Sequence, residues 1–334
     1  MRTERDFPDL PTSVASLVRS GVYTIFETTD PNCPFVLVTK TGLRAVSETG
    51  SLSPLEGKSL SDFGLKNRVR PTGALSGPIV RWSALASAHE TRFLDEIADG
   101  LRVLAKNGVP RSSIFIFTNI PNAASVVGAS HPPTDLGFVL REQSYNHAIL
   151  VARGHGPDFG LACGDIVIAP YPLVDAVSQI KNLKICVLGL CQCYAGVFRY
   201  VSGKTSAKLV AFGATNFYPS LSANMDDDDG ARFANVFQFM FFRWLAEPRD
   251  LDGDGHQTLI DAYTFAGVEA TLAVQSIWAD QASHIRDLER QLRTATSDQA
   301  EALREEIGSA QELLSTMQEP WISNPELAAQ IAFF

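Results

Sequence analysis

The sequence predicts an α/β protein with a mainly parallel central sheet. Two observations carry this prediction: short, continuously apolar segments recur along the chain, and segments with apolar residues at helical spacing alternate with them. Continuous apolar strands are typical of a sheet that helices cover on both faces, which favours an α/β/α sandwich. We expect the core to span residues 78–246, with an N-terminal β-containing extension (1–77) and a C-terminal region (247–334) that includes a helical arm.

The core elements follow from the apolar pattern and from the residues that interrupt it. Strands are predicted over Ile79–Ala86, Ser113–Phe117, His147–Ala152, Ile185–Leu190 and Ala207–Ala214, with a hairpin over Phe159–Ala169. Helices are predicted over Phe93–Lys106, Leu173–Ile180 and Ala231–Leu245. The first of these helices is followed by Asn107-Gly108, a sequence that commonly ends a helix.

The two outer regions differ in composition from the core. Residues 1–75 are rich in Ser, Thr, Gly and Pro and contain one candidate strand pair, Val22–Phe26 and Phe35–Thr39. Residues 272–317 are rich in Glu, Gln, Arg and Ala, with helical periodicity and a break near Thr294–Ser297. This helical hairpin is either a solvated element that packs on the body or a partner-binding arm.

The overall composition disfavours several functional classes. The chain has 334 residues, of which 45% are hydrophobic and 19% are charged, and its net charge is −9. These values are typical of a globular protein and disfavour a general surface for nucleic acid or anionic membranes. The longest apolar runs are strand-sized, so no membrane-spanning segment is expected. Five cysteines without framework spacing, and an N-terminus without an apolar signal region, predict a cytoplasmic location.

Candidate catalytic residues follow two of the predicted core strands. His155 comes shortly after His147–Ala152, and Cys193 comes shortly after Ile185–Leu190. Because binding groups gather at the carboxyl ends of parallel strands, neighbouring strands would bring the two side chains to one rim. An imidazole that removes the thiol proton makes the cysteine a nucleophile toward a carbonyl group. The N–H groups of Gly156 and Cys193 are the candidate donors to the developing oxyanion.

Each of these motifs also has a purely structural interpretation. A Gly-His-Gly sequence can simply form a turn, and buried cysteines are usually unreactive apolar residues. A zinc site that joins Cys163, Cys191, Cys193 and His155 is disfavoured, because structural zinc sites usually have two to four residues between paired cysteines. The occurrence of both motifs, each at the end of a strand, is what favours catalysis.

The two motifs together resemble those of the caspase-like cysteine peptidases, which include legumain, the metacaspases and the caspases. In that group a His-Gly pair follows one strand and a cysteine, often in Cys-x-Ser-Gly, follows the next; here they read Gly154-His155-Gly156 and Cys193-Tyr194-Ala195-Gly196. Asn107-Gly108-Val109-Pro110 is similar to a legumain turn between helix and strand. The resemblance covers roughly residues 78–245 and is nearest to bacterial legumain-like peptidases. It implies a caspase-like fold, with His155 as general base and Cys193 as nucleophile.

The resemblance also implies where the substrate side chain binds. Legumain has Asn-Tyr-Arg-His after its first strand, which orients the catalytic histidine and binds the P1 residue; an ungapped comparison places Phe93-Leu94-Asp95-Glu96 there. The orienting Asn is then absent, and Asp95 and Glu96 predict an acidic pocket for Arg or Lys at P1, as in metacaspases. Further substrate-binding candidates are Cys191, Ser220 and Ser222. The run Asp226–Asp229 either adds negative charge to this rim or is a solvated loop tip.

A twelve-residue segment that begins at Asp250 matches the calcium-binding loop of an EF-hand. Carboxylates occupy positions 1, 3 and 5, glycine position 6, threonine position 9 and an acid position 12. The candidate metal-ligating residues are Asp250, Asp252, Asp254, His256, Thr258 and Asp261. The alternative is an Asp/Gly-rich turn in which Asp261 caps a helix. We expect one Ca²⁺ site with a structural role, and calcium-dependent activation is the competing hypothesis.

These observations predict a cysteine endopeptidase that acts through His155 and Cys193 without a cofactor for catalysis. Its partners would be protein or peptide substrates, and bacterial relatives imply a role in stress or defence signalling. The alternative, which the missing orienting Asn favours, is a catalytically silent caspase-like module that binds partners through its C-terminal helices. A flavodoxin-like nucleotide-binding domain is disfavoured, because no glycine-rich phosphate loop follows the first strand.

Overall fold

The N-terminal extension folds into a small antiparallel sheet of its own. The computed structural model describes residues 24–28, 30–39, 42–47, 51–58, 62–63, 82–86, 90–163, 165–201, 207–227, 230–253, 255–316 and 318–333. Strands β1 (Thr24–Glu27), β2 (Phe35–Thr39), β3 (Gly42–Val46) and β4 (Leu52–Pro54) pair antiparallel in chain order. Val36 and Leu43 are buried in the same apolar core as residues of the main body, so this sheet packs on the body. The predicted boundary at residues 77 and 78 lies outside the described residues.

The central sheet confirms the predicted α/β class and the mainly parallel strand arrangement. The remaining strands are β5 (Trp82–Ala86), β6 (Ile114–Thr118), β7 (His147–Arg153), β8 (Leu161–Cys163), β9 (Ile166–Ile168), β10 (Ile185–Leu190), β11 (Lys208–Gly213), β12 (Ser222–Asp227), β13 (Gly230–Asn235) and β14 (Trp321–Ile322). Six of them form one sheet in the order β14-β11-β10-β7-β5-β6. All neighbours in this sheet are parallel except β14, which pairs antiparallel with β11. β8–β9 and β12–β13 form separate hairpins.

Helices cover both faces of the central sheet. They are α1 (Arg92–Lys106), α2 (Ala124–Val127), α3 (Leu136–Arg141), α4 (Pro170–Val177), α5 (Val236–Ala246), α6 (Leu259–Leu292), α7 (Ser297–Leu314) and α8 (Pro325–Ala328). Alternate residues of β7 point to opposite faces: Ile149 and Val151 join a core with α1, α5 and α6, whereas Leu150 and Ala152 join a second core with α3 and α4. Each strand is therefore buried on both sides, which explains why residues 148–152 of β7 and all of β10 are apolar.

The predicted helix over Ala231–Leu245 is wrong in its first five residues. Strand β13 continues to Asn235 and pairs with β12, and α5 begins only at Val236. The change occurs at Asn235, whose side-chain oxygen accepts a hydrogen bond from the Gln238 N–H group and so caps the helix. Periodicity did not reveal this boundary, because a short apolar run fits a strand and a helix equally well.

The C-terminal region forms the predicted helical arm. Helix α6 has 34 residues, and α7 packs against it after a break between Leu292 and Ser297, which confirms the predicted break. After the arm the chain returns to the central sheet as β14, where the Trp321 indole N–H donates a 2.9 Å hydrogen bond to the Thr215 carbonyl. Among the described residues, no helix is both long and apolar enough to cross a membrane.

Candidate active site

The ends of β7 and β10 bring the two candidate catalytic turns together. The strands are parallel neighbours with Ala152 opposite Leu190, and the Cys191 N–H donates a 3.0 Å hydrogen bond to the Ala152 carbonyl. His155 and Cys193 each follow this last matched pair by the same number of residues. Both residues therefore emerge at the same edge of the sheet and at the same level along it.

The two turns are in direct contact through Gly156. A Cβ atom placed on Gly156 would lie 2.0 Å from the Cys193 carbonyl oxygen and 2.5 Å from Cγ of Gln192. No side chain fits at such distances, so only glycine allows the turns to pack this closely. The residue next to His155 thus touches the backbone of Cys193. The edge of the sheet that these two turns share is called the crevice below.

The Cys193 sulfur is held by the segment that follows β11. The Ser220 N–H donates a hydrogen bond to Cys193 Sγ at 3.3 Å, and Ser220 Oγ lies 3.8 Å from the same sulfur. The next residue, Tyr194, has a left-handed backbone with φ of 53°, and its N–H donates a 3.0 Å hydrogen bond to the Tyr218 carbonyl. Non-glycine residues adopt this conformation rarely, so the Tyr218 contact helps to hold the turn that presents the thiol.

Cys193 differs from the other four cysteines in its exposure. Cys33, Cys163, Cys186 and Cys191 are buried, whereas Cys193 is partly exposed, and none forms a disulfide. Burial raises the pKa of the Cys163, Cys186 and Cys191 thiols to about 12. Since the thiolate is the reactive form, these three buried thiols are unreactive at neutral pH, and the Cys193 thiol is the one that a reagent can reach.

The His155 ring is oriented by a carboxylate that the sequence analysis did not identify. Nε2 of His155 forms a short hydrogen bond with Glu90, which lies between β5 and α1. The ring also packs edge-on against Phe93, with 5.6 Å between ring centroids. Glu90 and Phe93 together fix the position of the imidazole ring, which is the group that could exchange a proton with a thiol.

Glu90 stays ionised because its neighbours are positive or donate hydrogen bonds. Partial burial raises its pKa, but the hydrogen bond with His155 and the nearby charge of Arg92 outweigh burial, so its pKa lies below the ordinary value. The sequence offered one signal for Glu90: it is an acidic residue between the first predicted core strand and the helix that follows it, close to where a histidine-orienting residue was sought.

A buried ion pair lies beneath the crevice. The Arg153 guanidinium, at the end of β7, donates to both carboxylate oxygens of Glu96, and both side chains are almost fully buried. Arg153 also donates a 2.9 Å hydrogen bond to the Cys191 carbonyl and a 3.3 Å hydrogen bond to Ser222 Oγ. The pair therefore joins α1, the ends of β7 and β10, and the start of β12. Neither the ion pair nor the role of Arg153 was predicted from the sequence.

The predicted substrate-binding residues separate into three environments. Ser220 contacts the sulfur of Cys193. Glu96, Cys191 and Ser222 instead contact Arg153, and the charge of Glu96 is matched there. Asp95 is exposed on the first turn of α1. The side chains of Asp226 and Asp227 and the whole of residues 228–229 lie outside the described part of the chain, so their predicted contribution to the rim stays a prediction.

The Asp-rich loop brings three of its predicted ligands together. Carboxylate oxygens of Asp250, Asp252 and Asp261 lie within 4.8 Å of one another. The two carboxylate oxygens of Asp250 accept 2.7 Å hydrogen bonds from the N–H groups of Gly253 and Gly255, which folds the loop around this residue. Asp254 lies outside the described residues, and His256 has an exposed side chain.

Asp261 also caps the helix that follows the loop. Its Oδ2 atom accepts hydrogen bonds from the N–H and hydroxyl groups of Thr258 at 2.8 and 2.7 Å, and its Oδ1 accepts one from the Leu251 N–H at 2.9 Å. Burial raises the pKa of Asp261, and these hydrogen bonds oppose that effect in part. The helix-cap alternative therefore describes one role of Asp261, and its carboxylate still faces the other two aspartates.

Comparison with known proteins adds no family assignment. No protein-family model matches the sequence, and no curated protein matches it. What the fold and the geometry define is an α/β protein with a partly exposed cysteine, a carboxylate-bonded histidine and two glycine-containing turns at one edge of a mainly parallel sheet.

Proposed function

We propose that the protein is a cysteine endopeptidase of the caspase-like group, with His155 as the general base and Cys193 as the nucleophile. The observation that carries this proposal is the direct contact of the two turns through Gly156 at the matched ends of β7 and β10. The partly exposed thiol and the Glu90–His155 hydrogen bond support it further. The motif resemblance of the sequence agrees with this geometry.

The arrangement supports acyl transfer in two steps. His155 accepts the thiol proton of Cys193, and the thiolate adds to the carbonyl carbon of the peptide bond. Within the described part of the chain, the N–H groups of Gly156 and Cys193 donate no hydrogen bond to another residue, so both can donate to the oxyanion. The C–N bond breaks as His155 returns the proton to the leaving amine. A water, deprotonated by His155, then hydrolyses the thioester and releases the acid. Glu90 stabilises the imidazolium in both steps.

A preference for basic P1 residues stays part of the proposal, but of the two acidic residues Asp95 and Glu96, only Asp95 is now proposed to bind the P1 side chain. Glu96 is neutralised by Arg153, so it offers no unpaired charge to a substrate. Of the two acidic residues assigned to the pocket, Asp95, exposed at the start of α1, is the one whose charge stays unmatched by Arg153. A fluorogenic P1 library should show an Arg or Lys preference that weakens in Asp95→Asn. A preference for Asp or Asn in the unmodified chain would contradict a basic P1 residue while leaving the peptidase proposal intact.

An activity-based probe tests the function itself. A peptidyl chloromethyl ketone should label the full-length chain at Cys193, label Cys33→Ala equally well, and fail to label Cys193→Ala. Cys33 is a suitable control because it is buried and distant in sequence from the crevice. Absence of labelling together with absence of peptide hydrolysis would support the alternative, a catalytically silent module that binds partners through α6 and α7.

We also propose that the Asp-rich loop binds one Ca²⁺ ion with a structural role. The grouping of Asp250, Asp252 and Asp261 supports this, since carboxylate oxygens are the ligands that Ca²⁺ prefers. At a Ca²⁺ concentration a hundredfold above its dissociation constant, binding raises the free energy of unfolding by about 2.7 kcal/mol. The melting temperature should therefore rise in CaCl₂ relative to a chelator. Equal melting temperatures would contradict the site.

The biological setting is proposed from weaker indications. The five cysteines form no disulfide, which supports a reducing, cytoplasmic location. The resemblance to bacterial relatives supports a role in stress or defence signalling, and the arm of α6 and α7 supplies an extended helical surface for a protein partner. Co-purification of a partner that is lost when residues 278–310 are replaced by a short linker would support this use of the arm.

A further inference from the structure

The segment from Tyr218 to Ser222 is the part of the crevice that contacts the nucleophile most closely. Its Ser220 N–H donates to the Cys193 sulfur at 3.3 Å. A thiolate accepts a hydrogen bond more strongly than a neutral thiol does, so the Ser220 N–H lies where it could stabilise an attacking sulfur anion. The bond is useful only while Ser220 is held at the correct distance, which raises the question of what fixes the segment.

The buried side chain of Asn235 holds this segment through hydrogen bonds. Its side-chain nitrogen donates to Ser220 Oγ at 3.2 Å and to the Leu221 carbonyl at 3.3 Å, so one amide group spans two consecutive residues. Asn235 is fully buried at the junction of β13 and α5. Its remaining side-chain atom, Oδ1, accepts from the Gln238 N–H and caps α5. The two ends of the amide thus serve two separate purposes.

Asn235 is in turn fixed by the buried ion pair. Its backbone N–H donates to Glu96 Oε1 at 3.2 Å, and the same oxygen accepts from Arg153 at 2.8 Å. Arg153 donates to the Cys191 carbonyl, two residues before the nucleophile. The contacts therefore form a continuous path from Cys193 through Ser220, Asn235, Glu96 and Arg153 to Cys191.

We propose that Asn235 is a positioning residue whose side-chain nitrogen fixes the Ser220 N–H on the Cys193 sulfur and so favours the thiolate. This inference rests on the proposed function, because it assigns the residue a part in preparing the same nucleophile. Asn235 is fully buried and acts on the sulfur through Ser220, to which it donates a hydrogen bond. Among the described side chains, the charged or titratable groups on the segments that pack against Cys193 include His155 and Glu90, with Arg92 beside Glu90, and the matched Arg153–Glu96 pair.

The test is the rate of Cys193 alkylation by iodoacetamide as a function of pH, read by mass spectrometry of the Cys193 peptide. The variant is Asn235→Ser in the full-length chain. Serine keeps the helix cap, since it is as good an N-cap as asparagine, but it lacks the amide donor. We expect the apparent pKa of the thiol to rise by about one unit, which lowers the thiolate fraction about tenfold below that pKa. Because a more basic thiolate is also more nucleophilic, part of this loss is recovered, and alkylation should be roughly three- to tenfold slower.

Two further variants separate positioning from folding. Asn324→Ser is the matched control, because Asn324 caps α8 in the same way through the Leu327 N–H and lies outside this hydrogen-bond path; its alkylation profile should equal that of the unmodified chain. Ser220→Ala keeps the N–H donor but loses the Asn235 contact and the hydroxyl group 3.8 Å from the sulfur, so its pKa change should be in the same direction and smaller. Should Asn235→Ser fold poorly, an unchanged thiol pKa in Ser220→Ala would still overturn the proposal.

The outcomes are distinct. A thiol pKa in Asn235→Ser and Ser220→Ala that matches the unmodified chain would overturn the proposal and leave Asn235 as a helix cap only. A shift in both variants supports it. Because alkylation needs no peptide substrate, a chain that shows the shift but hydrolyses no peptide would retain the positioning role and contradict only the proposed peptidase function.

Discussion

The candidate catalytic crevice and the Asp-rich loop are both clusters of polar and titratable side chains, yet they are built in opposite ways. The crevice takes Glu90, His155, Cys193 and Ser220 from four separate segments that the central sheet brings together. The loop takes its aspartates from within twelve consecutive residues, and hydrogen bonds between near neighbours shape it. The crevice therefore depends on the whole sheet, whereas the loop depends on its own residues.

This difference determines which substitutions affect each cluster. A change in the buried framework beneath the crevice should alter the relative position of His155 and Cys193, because several hydrogen bonds of Arg153 join their supporting strands. The same change should leave the loop intact. Substitutions that act on one cluster and spare the other are thus the direct way to test the comparison.

The largest effect is expected from Arg153→Met. Removing the guanidinium leaves the Glu96 carboxylate buried without a partner, which typically lowers the free energy of unfolding by about 3–5 kcal/mol. Urea unfolding followed by circular dichroism measures the change. The matched control is Arg290→Met on the arm, where the ion pair with Asp287 is largely exposed and should contribute less than about 1 kcal/mol. Equal losses in the two variants would contradict a buried supporting pair.

A loss of activity is expected next from Gly156→Ala. The added methyl group would lie 2.0 Å from the Cys193 carbonyl oxygen, so the two turns must separate and the Gly156 N–H must move away from the oxyanion. Loss of one oxyanion donor lowers kcat about 10²–10³-fold, and kcat/KM for a fluorogenic peptide measures it. Gly308→Ala on α7 is the control, since no atom lies within 4 Å of the added methyl group. Full activity in Gly156→Ala would show that the turns need not touch.

A smaller loss is expected from Glu90→Gln, which keeps the size of the side chain and removes its charge. The imidazolium then loses its carboxylate partner, and kcat should fall by about tenfold or more. Because the pKa of Glu90 lies below the ordinary value of 4.5, the carboxylate is charged above that pH and its stabilising effect is lost only as the pH falls further. Glu142→Gln, in an exposed pair with Arg141, should change nothing. An unchanged kcat in Glu90→Gln would remove its orienting role.

The smallest effect on the crevice is expected from Asp252→Asn. Loss of one carboxylate should weaken Ca²⁺ binding measured by calorimetry, because fewer charged ligands face the ion. The rate of Cys193 alkylation should stay within about twofold of the unmodified chain, since hydrogen bonds among its own residues shape the loop. A large change in alkylation would favour calcium-dependent activation over a structural role.

The sequence predicted the parts of the fold that depend on local pattern. Strands β7 and β10 and the helix before Asn107 were identified within one or two residues, because continuous apolar runs and a glycine stop are local signals. Strand β13 was mistaken for helix, because its pairing with β12 is a tertiary contact. Strand β14 was not predicted, since two residues carry no periodicity.

In the candidate site, too, residues with a local sequence signal were predicted, and residues defined by tertiary contacts were missed. His155 and Cys193 were found because each follows a recognisable strand. Glu90 was missed because its contact with His155 spans 65 residues of sequence, and such a contact leaves no local pattern. Glu96 was assigned to a pocket because its ion pair with Arg153 depends on how α1 packs on the sheet, which the residue type alone does not show. Asn235 was hidden inside a segment predicted as helix.

The central claim is that His155 activates Cys193 across the shared crevice. The most direct test is the second-order rate of Cys193 labelling by a peptidyl chloromethyl ketone at neutral pH, in the unmodified chain and in His155→Ala. We expect labelling confined to Cys193 and at least about a hundredfold slower in His155→Ala, since the histidine contribution to such catalysis is typically 10²–10⁴-fold. Equal rates in the two proteins would contradict the account.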